Sequence, residues 1–523
     1  MIYVIGSGPA GIAATVALLD RGLAVTILDG GIELEEERKL VVSRLAAQSQ
    51  EEWSAADLTE IKGGLQMKAS GIPLKLSYGS EFPYAETDSF IPRSGETLGI
   101  QPSLARGGLS NVWGAAMLPY RQEDILDWPI EIADLAPYYA KVISITGISA
   151  KHDSLADLFP LYCDNCQPLP QSSQIKAFMD DLERSRTKLS QAGFYFGASR
   201  LAVAEVSGRS CVRCRLCLYG CPYGLIYNSS QALEQLLANP KLTYTGGIVV
   251  NRLLENDGKV TISAIDRKTG SPLSIEAERV FVAAGVLSST KIILKSLQAY
   301  DQPVTLRDSQ YFLMPLLRFS PVSAIESEEN YTLSQAFLEI MDQGLSAYAI
   351  HLQIYAYNEF YRAAIKAKLG LFFPIMALPT RMYLERMLLI QGYLHSEHSS
   401  TASLVLRKDI RFDHLECVIH KRPETEKILR CVSNKLFSLS QHLRAFPVPM
   451  LMRIGEHGRG YHAGSTLPMA TVPAEFQTDL FGRPKGMKLV HVIDSSVFPS
   501  IPATTITLSV MANAYRIADC FLL

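Results

Sequence analysis

The sequence predicts an α/β fold, α+β over the whole chain, and two stretches carry that prediction. In the first, an apolar run, Ile2-Tyr3-Val4-Ile5, leads directly into Gly6-Ser7-Gly8-Pro9-Ala10-Gly11, then into a helical pattern over residues 12 to about 21. A second apolar run, 24–28, ends at Asp29. Strand, glycine turn, helix, strand and acid in that order form a dinucleotide-binding βαβ unit of the Rossmann type. In the second stretch, Val280-Phe281-Val282-Ala283-Ala284-Gly285 again runs a strand into a glycine turn and a helix.

Each part of the first unit has a physical task. Gly6 permits the tight turn, and Gly8 lets backbone approach a pyrophosphate. The N-terminus of the helix that follows offers amide donors and the positive end of its dipole. Gly11 allows close helix–strand packing. Asp29, 18 residues beyond Gly11, is positioned to accept from a ribose hydroxyl.

With 523 residues the chain should bury more than one core. Its 50 basic and 52 acidic residues leave a net charge of −2, and no basic run is interleaved with aromatics, which argues against a nucleic-acid partner. The longest uncharged apolar run in mid-chain, 369–380, contains two prolines and is too short to cross a bilayer. With its first strand at residue 2, the protein is expected to lack a signal peptide and to work in the cytoplasm, with a peripheral membrane position as the alternative. Nine cysteines, four of them between 211 and 221, suit a reducing compartment and a metal better than a disulfide framework.

Residues 32–62 are charged and helical in character and are expected to be a solvated excursion. Arg106-Gly107-Gly108-Leu109-Ser110-Asn111-Val112-Trp113-Gly114-Ala115-Ala116 follows. Its glycines and small residues would let backbone approach a flat ring and donate amides to it; the alternative is a plain turn beside a core tryptophan. Asp127-Trp128-Pro129-Ile130 leads to Asp134, the expected N-cap of a helix through Pro137-Tyr138-Tyr139.

These motifs, GxGPAG, GGLSNVWG and WPIEIADLAPYY, resemble in order and spacing the glucose–methanol–choline (GMC) flavoprotein oxidoreductases. The resemblance resumes at 280–290. It is most specific near the C-terminus, in Gly460-Tyr461-His462-Ala463-Gly464-Ser465-Thr466, in GRPKGMKLVHVIDSSVFPS and in MANAYRIAD. It implies a Rossmann-like FAD-binding domain made of 1–120, 200–300 and 455–523, interleaved with a substrate-binding domain, 121–199 and 301–454, built on an antiparallel sheet with helices. It also implies oxidation of an alcohol. The implied cofactor contacts are Gly6, Gly8, Pro9, Ala10, Gly11, Asp29, Gly107, Gly108, Ser110, Asn111, Gly114, Ala115, Val250, Ala284, Gly285, Asp494, Ser495 and Thr504. Some relatives attach FAD through a histidine beside the tryptophan of the glycine segment. Val112 stands there, so FAD is expected to be held non-covalently.

Hydride transfer from an alcohol requires the hydroxyl proton to leave, and a neutral imidazole within hydrogen-bond reach suits that task. By resemblance His462 is that base, with His457 on the preceding turn as its competitor. The family's second residue, asparagine or histidine, falls on Thr505. This is a departure: a threonine hydroxyl is a poor base, so Thr505 either orients the substrate or serves the start of a helix.

Cys211, Cys214, Cys217 and Cys221 have the C-x2-C-x2-C-x3-C-P spacing of [4Fe–4S] ferredoxins. A [3Fe–4S] cluster and zinc are the alternatives. The stretch from Cys217 to Asn228 also resembles the cluster-binding segment of flavin-dependent sugar dehydrogenases, which implies electron exit to an acceptor protein or quinone. Arg209, Arg213 and Arg215 would offset the cluster's charge. Cys163 and Cys166 form a separate CxxC, either a redox pair, extra metal ligands or free surface thiols.

The aromatic and basic stretch 345–394 is expected to form core helices lining a substrate cavity, with membrane contact as the less favoured reading. The sequence thus predicts FAD-dependent oxidation of a sugar, glycoside or cyclitol hydroxyl, with a non-oxygen acceptor. The alternatives are an oxygen-using oxidase, a lipid alcohol as substrate, or a non-catalytic electron-transfer flavoprotein.

Overall fold

The structure, a computed structural model, describes residues 1–64, 66–67, 70–205, 208–409 and 413–521; at 66 and 67 it describes the backbone alone. The apolar runs recognised in the sequence come together in one parallel sheet. Its strands lie in the order Val490–Val492, Arg279–Val282, Ile2–Ile5, Val25–Asp29 and Leu242–Gly246. Val25–Asp29 is buried along its whole length, as expected of a strand covered on both faces. Helix Pro9–Asp20 follows the first strand, and the C-terminal helix Ile506–Cys520 packs along it, with Tyr515 donating to Asp20 Oδ2 at 2.5 Å. Helix Ile132–Thr146 packs against the C-terminal helix, tied by Tyr139 Oη and Ser509 Oγ at 2.9 Å. This helix starts earlier than the sequence suggests. Glu131 is its N-cap, and Asp134 sits one turn in, closing a capping box by accepting from the Glu131 amide at 2.9 Å.

The second body is an antiparallel sheet ordered Ala445–Pro447, Tyr311–Arg318, Met387–Tyr393, Ile350–Tyr355, Ala336–Ile340 and Phe194–Ala198, with Arg453–Ile454 also pairing Tyr311–Arg318. Its side chains alternate with the pleat. One face carries Phe196, Leu338, Leu352, Ile390 and Met314 into an apolar core shared with helices Ser173–Arg184 and Pro423–Ser438. The other face carries polar and aromatic residues in register: Glu339 opposite His351, His351 opposite Tyr393, and Tyr393 opposite Tyr311. On the apolar face position 392 is glycine, since a Cβ there would meet the Phe312 ring at 2.1 Å.

A third sheet joins the two bodies, in the order Ala463–Gly464, Pro303–Asp308, Thr401–Arg407, His414–His420 and Arg93–Gly95. Its core, with Leu306 and Leu404, packs on Leu287 and Leu294 of helix Val286–Ser296. Asp308 pairs with Ala463, and this fixes the segment around His462 between the nucleotide sheet and the polar face of the antiparallel sheet.

The expectation of core helices in 345–394 is overturned. Helices Glu359–Leu369 and Phe373–Leu384 form an insert between two adjacent strands of the antiparallel sheet. The first has no buried residue, and the second buries Thr380 and Leu384. The excursion 32–62 is helical as expected, but Val41, Leu45 and Ile61 pack onto Leu216 and Tyr219 rather than facing solvent.

Candidate active site

The first strand ends at a cleft with a cavity volume of about 220 Å³. The turn that shapes it requires glycine. Gly6 has φ +97° and its missing Cβ would meet Ala283 O at 2.5 Å; a Cβ on Gly11 would lie 2.0 Å from Gly6 O. Gly8, by contrast, has nothing within 4 Å of where its Cβ would be, and a Cβ on Gly108 would lie 3.4 Å from the Gly8 Cα. Two bare backbone segments therefore face open space, as a pyrophosphate requires.

Asp29 is buried beside this turn. It accepts from Ser7 Oγ at 2.6 Å and Tyr244 Oη at 3.2 Å, and the Gly107 amide donates to Ser7 Oγ at 2.8 Å. Burial pushes its carboxyl up to about 6, against the opposing pull of those hydrogen bonds. Asp494 organises the other side. It accepts from Gly285 N at 2.9 Å, Ser289 Oγ at 2.5 Å and Ser496 Oγ at 2.6 Å, and burial raises its pKa.

Of the expected cofactor residues, Gly6, Gly8, Pro9, Ala10, Asp29, Gly108, Val250, Ala284, Gly285, Asp494 and Ser495 line the cleft. Gly11, Gly107, Ser110, Asn111, Gly114, Ala115 and Thr504 do not. Ser110 and Asn111 hold the loop instead: Ser110 Oγ donates to Gly107 O at 2.6 Å, and Asn111 Nδ2 donates to Gly108 O at 2.7 Å. Ala115 has φ +59° and accepts from the Ala202 amide at 2.7 Å. Lys291 also lines the cleft, a cation the motifs did not single out. Burial holds its ammonium down to about 8 while it donates to Phe90 O at 2.8 Å. An open double-glycine cradle, a buried carboxylate and the Gly285 turn fit an FAD, and these are the residues that would hold it.

His462 lies one residue before cleft-lining Ala463. Its ring stacks on Tyr393, with centroids 4.5 Å apart, and its Nδ1 is buried without a hydrogen-bond partner. Burial, with His351 nearby, holds the imidazole down to about 3, so it is neutral at working pH. His457 is occupied elsewhere. Its Nδ1 lies 2.8 Å from Asp308 Oδ1; burial works against the charged ring, but Asp308 outweighs it and raises the pKa.

Beside His462 the structure assembles residues that the sequence reading missed. Fully buried His351 contacts Glu339 Oε1 through Nδ1 at 2.7 Å. Tyr355 donates to Gln353 Oε1 at 3.1 Å, and Gln391 Nε2 donates to Tyr393 Oη at 2.5 Å. The available signal was the alternation in 350–355, Ile-His-Leu-Gln-Ile-Tyr, which sets every second polar residue on one face. Thr505 is not among this group. Its hydroxyl accepts from the Leu118 amide at 2.6 Å, at the N-cap of the C-terminal helix, which pins two chain segments together. The threonine beside it, Thr504, has a buried hydroxyl oxygen with no partner.

Nothing among the described residues supports the metal site expected from Cys211, Cys214, Cys217 and Cys221, since no three His, Cys, Asp or Glu are placed to hold a metal ion, although Cys211, Cys217 and Cys221 lie close enough to Cys214 to raise its pKa. The loop is drawn instead against residues 326–330. Arg215 N donates to Asn330 O at 3.0 Å, and Asn330 N donates to Arg213 O at 3.1 Å. The arginines expected to offset a cluster have other partners: Arg213 pairs with Glu329 at 2.9 Å, Arg215 donates to Glu326 O at 2.7 Å, and Arg209 to Ala46 O at 2.7 Å. Burial, then Cys217, pushes the Cys214 thiol up to about 12 and the Cys221 thiol up to about 11. Cys163 and Cys166 are free.

The segment that carries His462 has a counterpart among known proteins. Residues 445–514 match the GMC oxidoreductase family model for the C-terminal region. The fold is similar to that of pyridoxine 4-oxidase from Mesorbium loti, with TM-score 0.60 and 14% identity over 99% of this chain and 98% of that one. It is also similar to a formate oxidase from Aspergillus oryzae, an arginine-to-alanine variant solved for its effect on FAD modification, with TM-score 0.56 and 14% identity over 99% and 97%. A sequence comparison with curated proteins returns no match. The segment match and the shared fold support the GMC oxidoreductase family.

Proposed function

We propose that the protein is an FAD-dependent oxidoreductase that oxidises an alcohol group to a carbonyl, with FAD held non-covalently. The observation that carries this reading is the unpartnered Nδ1 of a neutral, stacked His462 beside a glycine cradle. FAD, when bound, supplies the two-electron acceptor for the hydride leaving the alcohol carbon. His462 accepts the hydroxyl proton at Nδ1, and its low pKa keeps that site open at neutral pH. Stacking on Tyr393 fixes the ring plane, which limits the loss of orientation when substrate binds.

The substrate class we propose is a ring alcohol rich in hydroxyls, a sugar, glycoside or cyclitol. Gln353, Gln391, Tyr355 and Tyr393 support it, since they offer donors, acceptors and flat rings on one sheet face. A metal relay through the cysteines would favour a dehydrogenase over an oxidase; without one, the reaction class is oxidation of CH–OH donors. The test is anaerobic titration of the purified flavoprotein with a panel of sugars and cyclitols, read as flavin bleaching. A protein that neither retains nor binds FAD would end the reading.

A further inference from the structure

Between Glu359 and Glu385 the chain has no acidic residue and four cations, Arg362, Lys366, Lys368 and Arg381. Among the described residues this stretch, Glu359–Leu384, is the one helical segment long and apolar enough to cross a bilayer. It does not run straight. Gly370, at φ +53°, ends the first helix, and the Arg362 guanidinium and Lys366 ammonium lie 5.9 Å and 6.0 Å from the Phe373 ring centroid. In a straight helix residues eleven apart are separated by a rise of about 16 Å, so the second helix bends back beside the first. The bend presents Leu371, 96% exposed, with Phe372 at 69% and Ile375 at 79%; Leu378 and Met382 continue the apolar surface.

A core helix of a water-soluble protein buries its apolar side; this pair packs Tyr361, Ile365 and Tyr383 inward but leaves its tip uncovered. Its charge pattern limits what can cover it. Among the described residues neither Lys366 nor Lys368 has an acidic partner. At the base of the pair a cavity of about 390 Å³ is lined by Arg215, Arg362, Lys366 and Phe373. Two acids also face it, and both are already paired: Glu326 with Arg362 at 3.4 Å and Glu359 with Lys62 at 2.8 Å. An apolar tip beside two lysines that have no acidic partner is complementary to acyl chains below anionic headgroups.

We propose that this bent helix pair docks the protein on an anionic lipid surface, lying in the interface without spanning the bilayer. The flanking strands, Ile350–Tyr355 and Met387–Tyr393, carry the polar face beside His462, so the docked edge is rigidly joined to the active-site sheet.

Flotation of the full-length flavoprotein tests this with two kinds of vesicle: phosphatidylcholine alone, and equal parts of phosphatidylcholine and phosphatidylglycerol. The protein should float with the mixed vesicles, and less well as salt is raised. Replacing Leu371, Phe372 and Ile375 together by serine should lower partitioning by on the order of a hundredfold, with FAD content and thermal midpoint unchanged. Lys366→Glu with Lys368→Glu should weaken binding to the mixed vesicles alone. Failure of the unaltered protein to float, or equal flotation of the serine variant, would overturn the proposal. So would a wild type that fails to float and is dimeric where the serine variant is monomeric, because the occupant would then be a second copy of the chain.

Discussion

The rings of His462 and Tyr393 lie 4.5 Å apart and 15° from parallel, although 69 residues separate them in the chain. The third sheet brings one to the nucleotide cleft and the antiparallel sheet brings the other. If His462 Nδ1 is the proton acceptor, His462→Gln should retain FAD and lower the rate of flavin bleaching by about 10²–10⁴-fold. Tyr393→Phe keeps the stacked ring and should fall far less than Tyr393→Ala. Equal losses in the two tyrosine variants would mean that the hydroxyl, not the stacking, matters.

Asp29 links pH to cofactor affinity. Its carboxyl is held up to about 6 by burial, so it loses its charge as pH falls through that value. A ribose hydroxyl donates more strongly to a carboxylate than to a neutral acid. FAD affinity should therefore weaken as pH drops from about 7.5 to about 5. Asp29→Asn should bind FAD more weakly at high pH and show a flatter profile. Fluorescence titration of the apoprotein at several pH values measures both. A wild-type affinity that rises on acidification would contradict this assignment.

Thr505 tests whether a family position has changed its task. Its hydroxyl satisfies the buried Leu118 amide, so Thr505→Val should leave that donor unpaired and cost about 1–3 kcal/mol of stability. Thr505→Ser should recover most of this. In both variants kcat, measured with the same substrate, should stay close to the unaltered protein, whereas a substrate-orienting hydroxyl would make kcat fall in the valine variant.

Sequence made the parallel sheet legible because each of its parts has a local signature: Gly6 to Gly11 for the turn, Asp29 at the strand end, Gly285 before the second helix. His462 was legible through the glycine-rich segment around it. The polar face was not. Glu339, His351, Gln391 and Tyr393 come from three strands, and their meeting depends on register, which short apolar runs do not reveal. Residues 359–384 misled for the opposite reason. Their composition suits a protein core, and only the bend at Gly370 and the exposure of Leu371 distinguish a surface element from a buried one. Cysteine spacing fixes separation along the chain and not whether four thiols converge on a metal, while Arg213 and Arg215 tie that loop to residues 326–330.

That loop gives the last prediction. Thiols raised to about 12 at Cys214 and about 11 at Cys221 are almost wholly protonated at neutral pH. Alkylation proceeds through the thiolate, so both should react with iodoacetamide far more slowly than an exposed cysteine of ordinary pKa. Protein purified without air should carry no stoichiometric iron, acid-labile sulfide or zinc. Cys211→Ser and Cys214→Ser should retain flavin bleaching by substrate, because no proton or hydride step passes through the loop. Stoichiometric iron with labile sulfide, lost in Cys214→Ser, would show that the four thiols gather around a cluster and that the arrangement against residues 326–330 rearranges to admit it. Metal analysis and mass-spectrometric alkylation kinetics on one preparation decide between the two arrangements.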